Sequence, residues 1–516
     1  MNGAEHLMRT AAEAGVDACF ANPGTTEMHL VAALDHEPRI RPVLGLFEGV
    51  VTGAADGYAR MAGRPALTIL HLGPGLGNGL ANLHNARRAH TPVVNLVGDH
   101  ATWHLDADAP LTSDIESLAR PVSGWVHTSR HAEDLSADVA RAISASLEPP
   151  GQVATLVVPQ DTTWEEVDPS VPIAVADPGR RPLVGPAAVE AVARWLRQAG
   201  SQGVLVIGGD AMRRDGLLAA RRVGAATGCR VLAEGMSARS ERGAGVPAVD
   251  RVPYFPEQAT EAFEGCTVVA LAGTREPVAF FGYPGQRSRP RPDGCELVSL
   301  AGVGDDVVHA LDSLAAALDA PAATVPDAPL PELPTGRLGV RELGAALAGR
   351  QPEGAIVVDE AVTSGTAYAA FATGAPAHDV LGLTGGAIGF GLPTAVGAAV
   401  ACPDRRVVAV QADGSGLYTP QALWTMAREG LDVTVVVCAN RAYRILQVEL
   451  LRAGVGEPGP GAVGLTDLGR PTVDWVSLAA GFGVPGERAA TAEDLVAALD
   501  RSFATPGPSL VEAVLE

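Results

Sequence analysis

At 516 residues, 47% hydrophobic and 19% charged, the chain can bury large cores, is not disordered, and should form about three domains of ordinary size. A net charge of −21 with no basic block argues against a nucleic-acid partner. There is no lysine, which excludes a Schiff-base lysine, hence ordinary pyridoxal-phosphate or class I aldolase chemistry, and also a P-loop lysine.

The six cysteines (Cys19, Cys229, Cys266, Cys295, Cys402, Cys438) are scattered without a C-x-x-C pair, as expected of free thiols in a reducing, cytoplasmic compartment. The N-terminus lacks a basic-then-apolar signal pattern. Residues 381–402 carry no charge, but their six glycines and one proline predict a buried loop and helix rather than a membrane span. Two stretches rich in Pro, Ala and Gly, 167–187 and 320–336, read as linkers. They leave blocks of 1–166, 187–320 and 337–516. Each block alternates strand-like and helical patterns, so the expected fold is α/β: three open domains with mainly parallel sheets.

In the first block Ala18–Ala21 predicts a strand leading into Asn22-Pro23-Gly24-Thr25-Thr26-Glu27. Thr25 is thereby placed at a strand-to-helix junction, as a helix cap or a ligand hydroxyl. Val43–Leu46 is the next strand. Glu48 follows among Leu46, Phe47, Val50 and Val51, either as a first-turn acid or as a partly desolvated proton donor. Ala66–Leu70 is a third strand, followed by His71, a glycine-rich turn (residues 73–79) and a helix toward His90. The spacing in that turn fails the dinucleotide fingerprint.

The middle block has strands at Val204–Ile207 and Thr267–Ala272, ending in Gly-Gly-Asp and Gly-Thr-Arg. It shows no dinucleotide fingerprint either.

The last block opens with a strand at Ala355–Val358. Thr363 and Ser364 follow, as a helix cap or as donors to a phosphate. Next come Gly385-Gly386-Ala387-Ile388-Gly389 and a strand at Val407–Gln411 that ends in the turn Asp413-Gly414-Ser415-Gly416. A helix capped by Thr419 and stopped at Gly430 leads to a second strand, Val433–Cys438. A right-handed crossover brings Asp413 and Asn440 to one sheet edge. One carboxylate and one amide oxygen there suit Mg²⁺, a hard cation that keeps other positions for phosphate oxygens and water. An Asp-Gly turn with an unrelated strand-end Asn is the alternative. Residues 455–464, with six Gly or Pro, read as a lid.

The Asp-Gly-Ser, the helix, and the Asn twenty-seven residues after the Asp resemble the diphosphate-binding motif of thiamine-diphosphate enzymes. The resemblance implies that Asp413, Asn440 and the Ala442 carbonyl hold Mg²⁺ against the cofactor's diphosphate, beside Gly414 and Ser415. Ala412 departs from the family's usual Gly, and Ala439 and Arg441 from its Asn and Gly. The continuation Ala54-Ala55-Asp56-Gly57-Tyr58-Ala59-Arg60 resembles the segment after the family's catalytic Glu. The resemblance implies that Glu48 is the group that protonates the aminopyrimidine. In the same way the Gly386 stretch would supply a carbonyl to the 4′-amino group, and Ile388 would wedge the cofactor into its bent shape.

Asn22 to Thr25 and His71 are similar to the benzoylformate-decarboxylase branch. There the turn hydroxyl holds the substrate carboxylate and the histidine moves protons. That branch's second histidine would fall near Gly282 and is absent. Leu111 stands where acetolactate synthases carry Gln, and Glu449 stands at a position hydrophobic in the benzoylformate branch. Tyr443, Ile445, Leu446, Leu111 and Glu449 would then line the cofactor and substrate pocket.

The resemblance implies a thiamine-diphosphate- and Mg²⁺-dependent enzyme that decarboxylates a 2-oxo acid and releases an aldehyde. Acetolactate-synthase-like carboligation is the alternative, and a non-catalytic cofactor-binding paralogue is an alternative of another class. It further implies a homodimer as the minimum unit, with a homotetramer as the expected assembly, and a central domain without FAD. A small-molecule 2-oxo acid, and an aldehyde or keto acceptor where ligation occurs, are the expected partners, with no membrane.

Overall fold

The computed structural model describes residues 1–516 except 169, 178 and 455. The chain folds as α/β, as expected, with parallel sheets flanked by helices. It divides into two compact units: residues 1–179, 330–371 and 383–516 form the first, and 180–329 with 372–382 form the second.

In the first unit, strands β1 (Ala18–Asn22), β2 (Arg41–Leu44), β3 (Ala66–Leu70), β4 (Val93–Asp99), β5 (Trp125–Thr128) and β6 (Val153–Pro159) form a parallel sheet in the order β2-β1-β3-β4-β6-β5. β3, β4 and β6 are buried along their whole length, which is why they read as continuous apolar runs.

The second unit is built on β7 (Gly203–Ile207), β8 (Arg230–Ala233), β9 (Arg239–Arg242), β10 (Asp250–Arg251), β11 (Val268–Ala272) and β12 (Glu296–Ala301). Five of these form a parallel sheet in the order β10-β8-β7-β11-β12. The order reverses between β7 and β11, where α/β crevices form.

Back in the first unit, β13 (Ile356–Glu360) begins the C-terminal sheet, while β14 (His378–Gly382) belongs to the second unit and pairs antiparallel with β9. β15 (Val407–Ala412), β16 (Val433–Ala439), β17 (Gly486–Ala489) and β18 (Ser509–Val514) run parallel to β13, neighbours in the order β17-β18-β16-β15-β13.

The N- and C-terminal parts of the first unit meet through two helices, Glu48–Ala62 and Gly391–Ala401. Small residues let them approach closely: a Cβ at Gly57 would lie 2.2 Å from the Thr394 carbonyl oxygen, and one at Gly397 would lie 1.8 Å from that of Ala54. Beneath this contact Arg60 pairs with Asp56 at 2.7 Å and stacks over the buried Phe390 ring.

Three local expectations are corrected. The glycine-rich run 73–79 is not a turn but the first half of a helix, Leu72–Ala89, in which Gly73 and Gly79 face tight neighbours while Gly77 faces open space. A Cβ at Gly73 would lie 2.0 Å from Ser113 Oγ, and one at Gly79 would lie 2.7 Å from Thr52 Cγ2. Asp413–Gly416 is one helical turn rather than a loose turn. Thr419 does not cap the next helix, Ala422–Glu429, whose N-cap is Gln421. The Thr419 hydroxyl instead donates to the Gly389 carbonyl at 3.0 Å. Gly430 does end that helix, at φ +61°.

All six cysteines are free. Among the described residues no helix is long and apolar enough to cross a membrane. The expected lid begins at residue 455, which lies outside the described residues. Residues Pro460–Gly464 of the same stretch form a short helix.

Candidate active site

Two groups of side chains stand at carboxyl ends of strands in the first unit. The N-terminal group lies beyond β1 and β3. Gly24, not Thr25, is the N-cap of the turn Thr25–Glu27, and its N–H donates to Glu27 Oε2 at 2.7 Å. Thr25 is exposed, its hydroxyl not spent on the cap. Glu27 is fully buried and was missed in the sequence. Its Oε2 meets His71 Nδ1 at 2.9 Å, and its Oε1 accepts from the Thr26 hydroxyl at 2.6 Å. The capping-box spacing Gly24-x-x-Glu27 is the signal that could have found it. A carboxylate on Nδ1 fixes the imidazole tautomer and leaves Nε2 as the working nitrogen.

Glu48 starts the helix after β2 and is buried. Its Oε2 accepts from Asn78 Nδ2 at 3.0 Å, and Gly75 leaves room for its other oxygen. Leu111 is 37% exposed in the loop before the helix Ile115–Ala119.

The C-terminal group surrounds β15 and β16, whose ends pair Ala412 with Cys438 and so bring Asp413 and Asn440 to one edge. Asp413 is buried. Its Oδ2 accepts from the Arg441 N–H at 2.6 Å and its Oδ1 from the Gly414 N–H at 2.9 Å. Burial pushes its carboxyl above the ordinary range, partly offset by those N–H groups. Asn440 Oδ1 accepts from the Ala442 N–H at 3.0 Å. A Cβ at Gly414 would lie 2.4 Å from the Tyr443 ring, so only glycine fits there. Burial raises the Tyr443 phenol, with the Tyr418 and Asp413 charges adding.

The Ser415 hydroxyl lies 2.5 Å from Gln411 Nε2. Thr363 and Ser364 lie in turns between β13 and the short helix Tyr368–Phe371, Ser364 buried and Thr363 half-buried. Ile445, Leu446 and Glu449 lie on the helix Arg444–Arg452, which has no buried residue. Leu446 is exposed and Ile445 and Glu449 are half-buried.

The loop 384–390 carries Gly386, exposed at φ +74°, and the half-buried Ile388. Asn85 grips Ala387 at both backbone groups, accepting from its N–H at 3.2 Å and donating to its carbonyl at 2.8 Å. His84 meets the Gly385 carbonyl at 3.2 Å. Among the described residues no donor reaches the Gly386 or Ala442 carbonyl.

These residues fit a diphosphate with its divalent cation. Asp413 meets only N–H donors, and Asn440 and Ala442 offer oxygens. The set needs no third carboxylate or histidine. Among the described residues no cluster of three or more His, Cys, Asp or Glu is arranged to hold a metal. No hydrogen bond or ion pair joins Glu48 directly to Asp413 among the described residues. The cavity beside Asp413, lined also by Leu417, Arg441 and Trp475, measures only about 10 Å³, the size of a water.

Comparison with known proteins agrees along the whole chain. The family model described as "Thiamine pyrophosphate enzyme, N-terminal TPP binding domain" matches residues 1–118, and its C-terminal TPP-binding counterpart matches residues 364–513. A Mycobacterium tuberculosis protein named "Putative acetolactate synthase large subunit IlvX" is 51% identical over 520 residues, covering 100% of this chain and 99% of that one. Benzoylformate decarboxylase of Pseudomonas aeruginosa is 30% identical, covering 96% of each. The solved structure of a thiamine diphosphate-dependent 4-hydroxybenzoylformate decarboxylase from Rhodococcus jostii RHA1 superposes with a TM-score of 0.87 at 25% identity, over 100% of this chain and 99% of that one.

Proposed function

This chain belongs to the thiamine pyrophosphate enzymes, and from that premise we propose that it catalyses Mg²⁺-dependent, non-oxidative decarboxylation of a 2-oxo acid with release of an aldehyde. That it is a thiamine-diphosphate-dependent enzyme of the decarboxylase or carboligase kind follows from its relatives. The Glu27–His71 pair beside the Thr25 turn carries the finer reading.

When bound, the cofactor supplies the electron sink for loss of CO₂. Asp413, Asn440 and the Ala442 carbonyl would hold Mg²⁺ beside the diphosphate, with Gly414, Ser415, Thr363 and Ser364 around it. Glu48 holds a proton toward the aminopyrimidine ring nitrogen. The Gly386 carbonyl would accept from the amino group, and Ile388 and Tyr443 would pack against the cofactor. The Thr25 hydroxyl donates to the substrate carboxylate, and His71 delivers or removes a proton through Nε2. Leu111, Ile445, Leu446 and Glu449 shape the pocket.

In this reading residues 1–166 bind the pyrimidine, 187–320 form the central nucleotide-fold domain without FAD, and 337–516 bind the diphosphate. The working unit is a homodimer, within a homotetramer, in the cytoplasm. Two observations support a second copy. The cavity beside Asp413 measures only about 10 Å³, too little for the cofactor, and Leu446, Leu451, Val463 and Leu465 are exposed apolar residues on or beside the helices nearby. The six free thiols fit a reducing compartment.

The test is CO₂ release from a panel of 2-oxo acids with Mg²⁺ and thiamine diphosphate, with and without added aldehyde. Aldehyde product supports decarboxylation. A 2-hydroxy ketone or acetohydroxy acid supports the second reading, carboligation, which the 51% identity to a protein named as an acetolactate synthase subunit favours. Glu48→Gln should slow C2-proton exchange of the bound cofactor roughly 10²- to 10⁴-fold. An unchanged exchange rate would instead support a non-catalytic paralogue. A monomer fully active at low concentration would contradict the dimer.

A further inference from the structure

Glu360, the last residue of β13, is almost completely buried, and all of its recorded carboxylate partners are uncharged N–H groups. Its Oε1 accepts from the Gly389 and Phe390 N–H groups at 2.8 and 3.0 Å. Its Oε2 accepts from the Gly391 N–H at 2.8 Å and from Gln411 Nε2 at 2.9 Å. The same Gln411 nitrogen lies 2.5 Å from Ser415 Oγ, in the Asp413 turn. One carboxylate therefore ties the loop that carries Gly386 and Ile388 to the turn that carries Asp413.

That loop cannot hold itself. Gly386 and Gly389 both sit at positive φ (+74° and +93°), a region glycine populates about as readily as negative φ, so the backbone alone does not fix them there. Its other clamps are Asn85 on both backbone groups of Ala387, His84 on Gly385, Asn82 with Thr419 on the Gly389 carbonyl, Thr384 on the Asn85 carbonyl, and Arg60 on the Thr384 hydroxyl and over the Phe390 ring. None of them holds the consecutive N–H groups of 389–391.

We propose that Glu360 is a positioning residue, whose carboxylate fastens the backbone of Gly389, Phe390 and Gly391 and so sets where the Gly386 carbonyl and Ile388 stand toward the aminopyrimidine. The proposal rests on the cofactor reading above. A glutamine cannot substitute for this anion. Whichever way its amide turns, the NH₂ group faces one or more backbone N–H donors that cannot rotate away. The loop then shifts, and misplacement on the ångström scale slows a proton transfer that depends on alignment.

The test uses the full-length enzyme, wild type, Glu360→Gln and Glu360→Asp. Three quantities are measured: the melting temperature without cofactor, the thiamine diphosphate Kd with Mg²⁺ from tryptophan fluorescence, and the C2-proton exchange rate of the bound cofactor. Glu360→Gln should keep its Kd within about threefold while exchange slows roughly 10- to 100-fold. Glu360→Asp keeps the charge but draws it back by one methylene, and should fall between. Exchange at the wild-type rate in both variants overturns the proposal, as does a loss that merely follows Kd or melting temperature. Should Glu360→Gln fail to fold, Glu360→Asp is judged by the same criteria. A wild type that binds no thiamine diphosphate or exchanges no C2 proton removes the cofactor reading itself, and this proposal with it.

Discussion

Glu360 and Glu234 occupy matching places on different sheets, one at the carboxyl end of β13 and the other just past β8, each beside a glycine-rich turn. Burial pushes both carboxyls above the ordinary range, Glu234 to about 7. Their partners separate them. Glu360 faces three backbone N–H groups, which are fixed donors, and the Gln411 amide, and these favour the anion. Glu234 has one fixed donor, the Gly209 N–H at 3.1 Å. The others are the Thr274 hydroxyl at 3.0 Å and that of Ser237, and a hydroxyl can turn from donor to acceptor. A buried carboxyl at a strand end thus keeps its charge where backbone surrounds it and can give it up where hydroxyls do. The first arrangement suits holding a loop in one place, the second only closing a crevice.

The comparison is broken hardest at Asp413, whose carboxylate meets N–H donors like Glu360 but, unlike it, is proposed above to hold the metal. Asp413→Ala should weaken thiamine diphosphate binding about 100-fold or more, read from the fluorescence of the neighbouring buried Trp475. Stripping divalent metal from the wild type with a chelator should reproduce that loss, and added Mg²⁺ should reverse it. Variant binding at the wild-type Kd would move the metal elsewhere. A smaller effect is expected at Glu27, which orients His71 rather than the cofactor. Glu27→Gln should lower kcat roughly 10-fold with the cofactor Kd unchanged. A fall in cofactor affinity instead would mean that Glu27 supports the fold around the Thr25 turn.

Much of this was legible in the sequence, and where it was not the reason is physical. Strands such as Ala66–Leu70 declare themselves because burial on both faces demands unbroken apolar runs. The Asp413 and Asn440 edge follows from two such strands and a crossover of fixed hand. The glycine run 73–79 misled, since a glycine needed for helix contact is written with the same letter as one needed for a turn. Glu360 carried no usable pattern, and the capping-box spacing of Glu27 points to its bond with Gly24 but not to His71. Each is defined by groups far along the chain, His71 for one and Gly389–Gly391 for the other, and their partners include backbone N–H groups that every residue but proline has. Backbone recognition leaves no trace in side-chain identity.

The smallest effect tests the other side of the comparison, at Glu234. A carboxyl whose folded-state pKa is raised makes its stabilising contribution below its unfolded value and loses it as pH rises through the folded one. For Glu234 the window runs from 4.5 to about 7. Above it, the folded wild type carries a disfavoured anion. Glu234→Gln removes that charge, and its amide fits the site, because the oxygen can accept from Gly209 while the NH₂ group faces hydroxyls free to turn and accept. The variant should therefore be more stable than the wild type at pH 8, by about 1–3 kcal/mol after allowing for the solvent Glu234 still meets. Near pH 4.5 the two should melt alike. Paired denaturant titrations at the two pH values decide it: equal stability at pH 8, or a loss there, would show that Glu234 is held as an anion in the manner of Glu360, and the distinction between fixed and rotatable donors would fail.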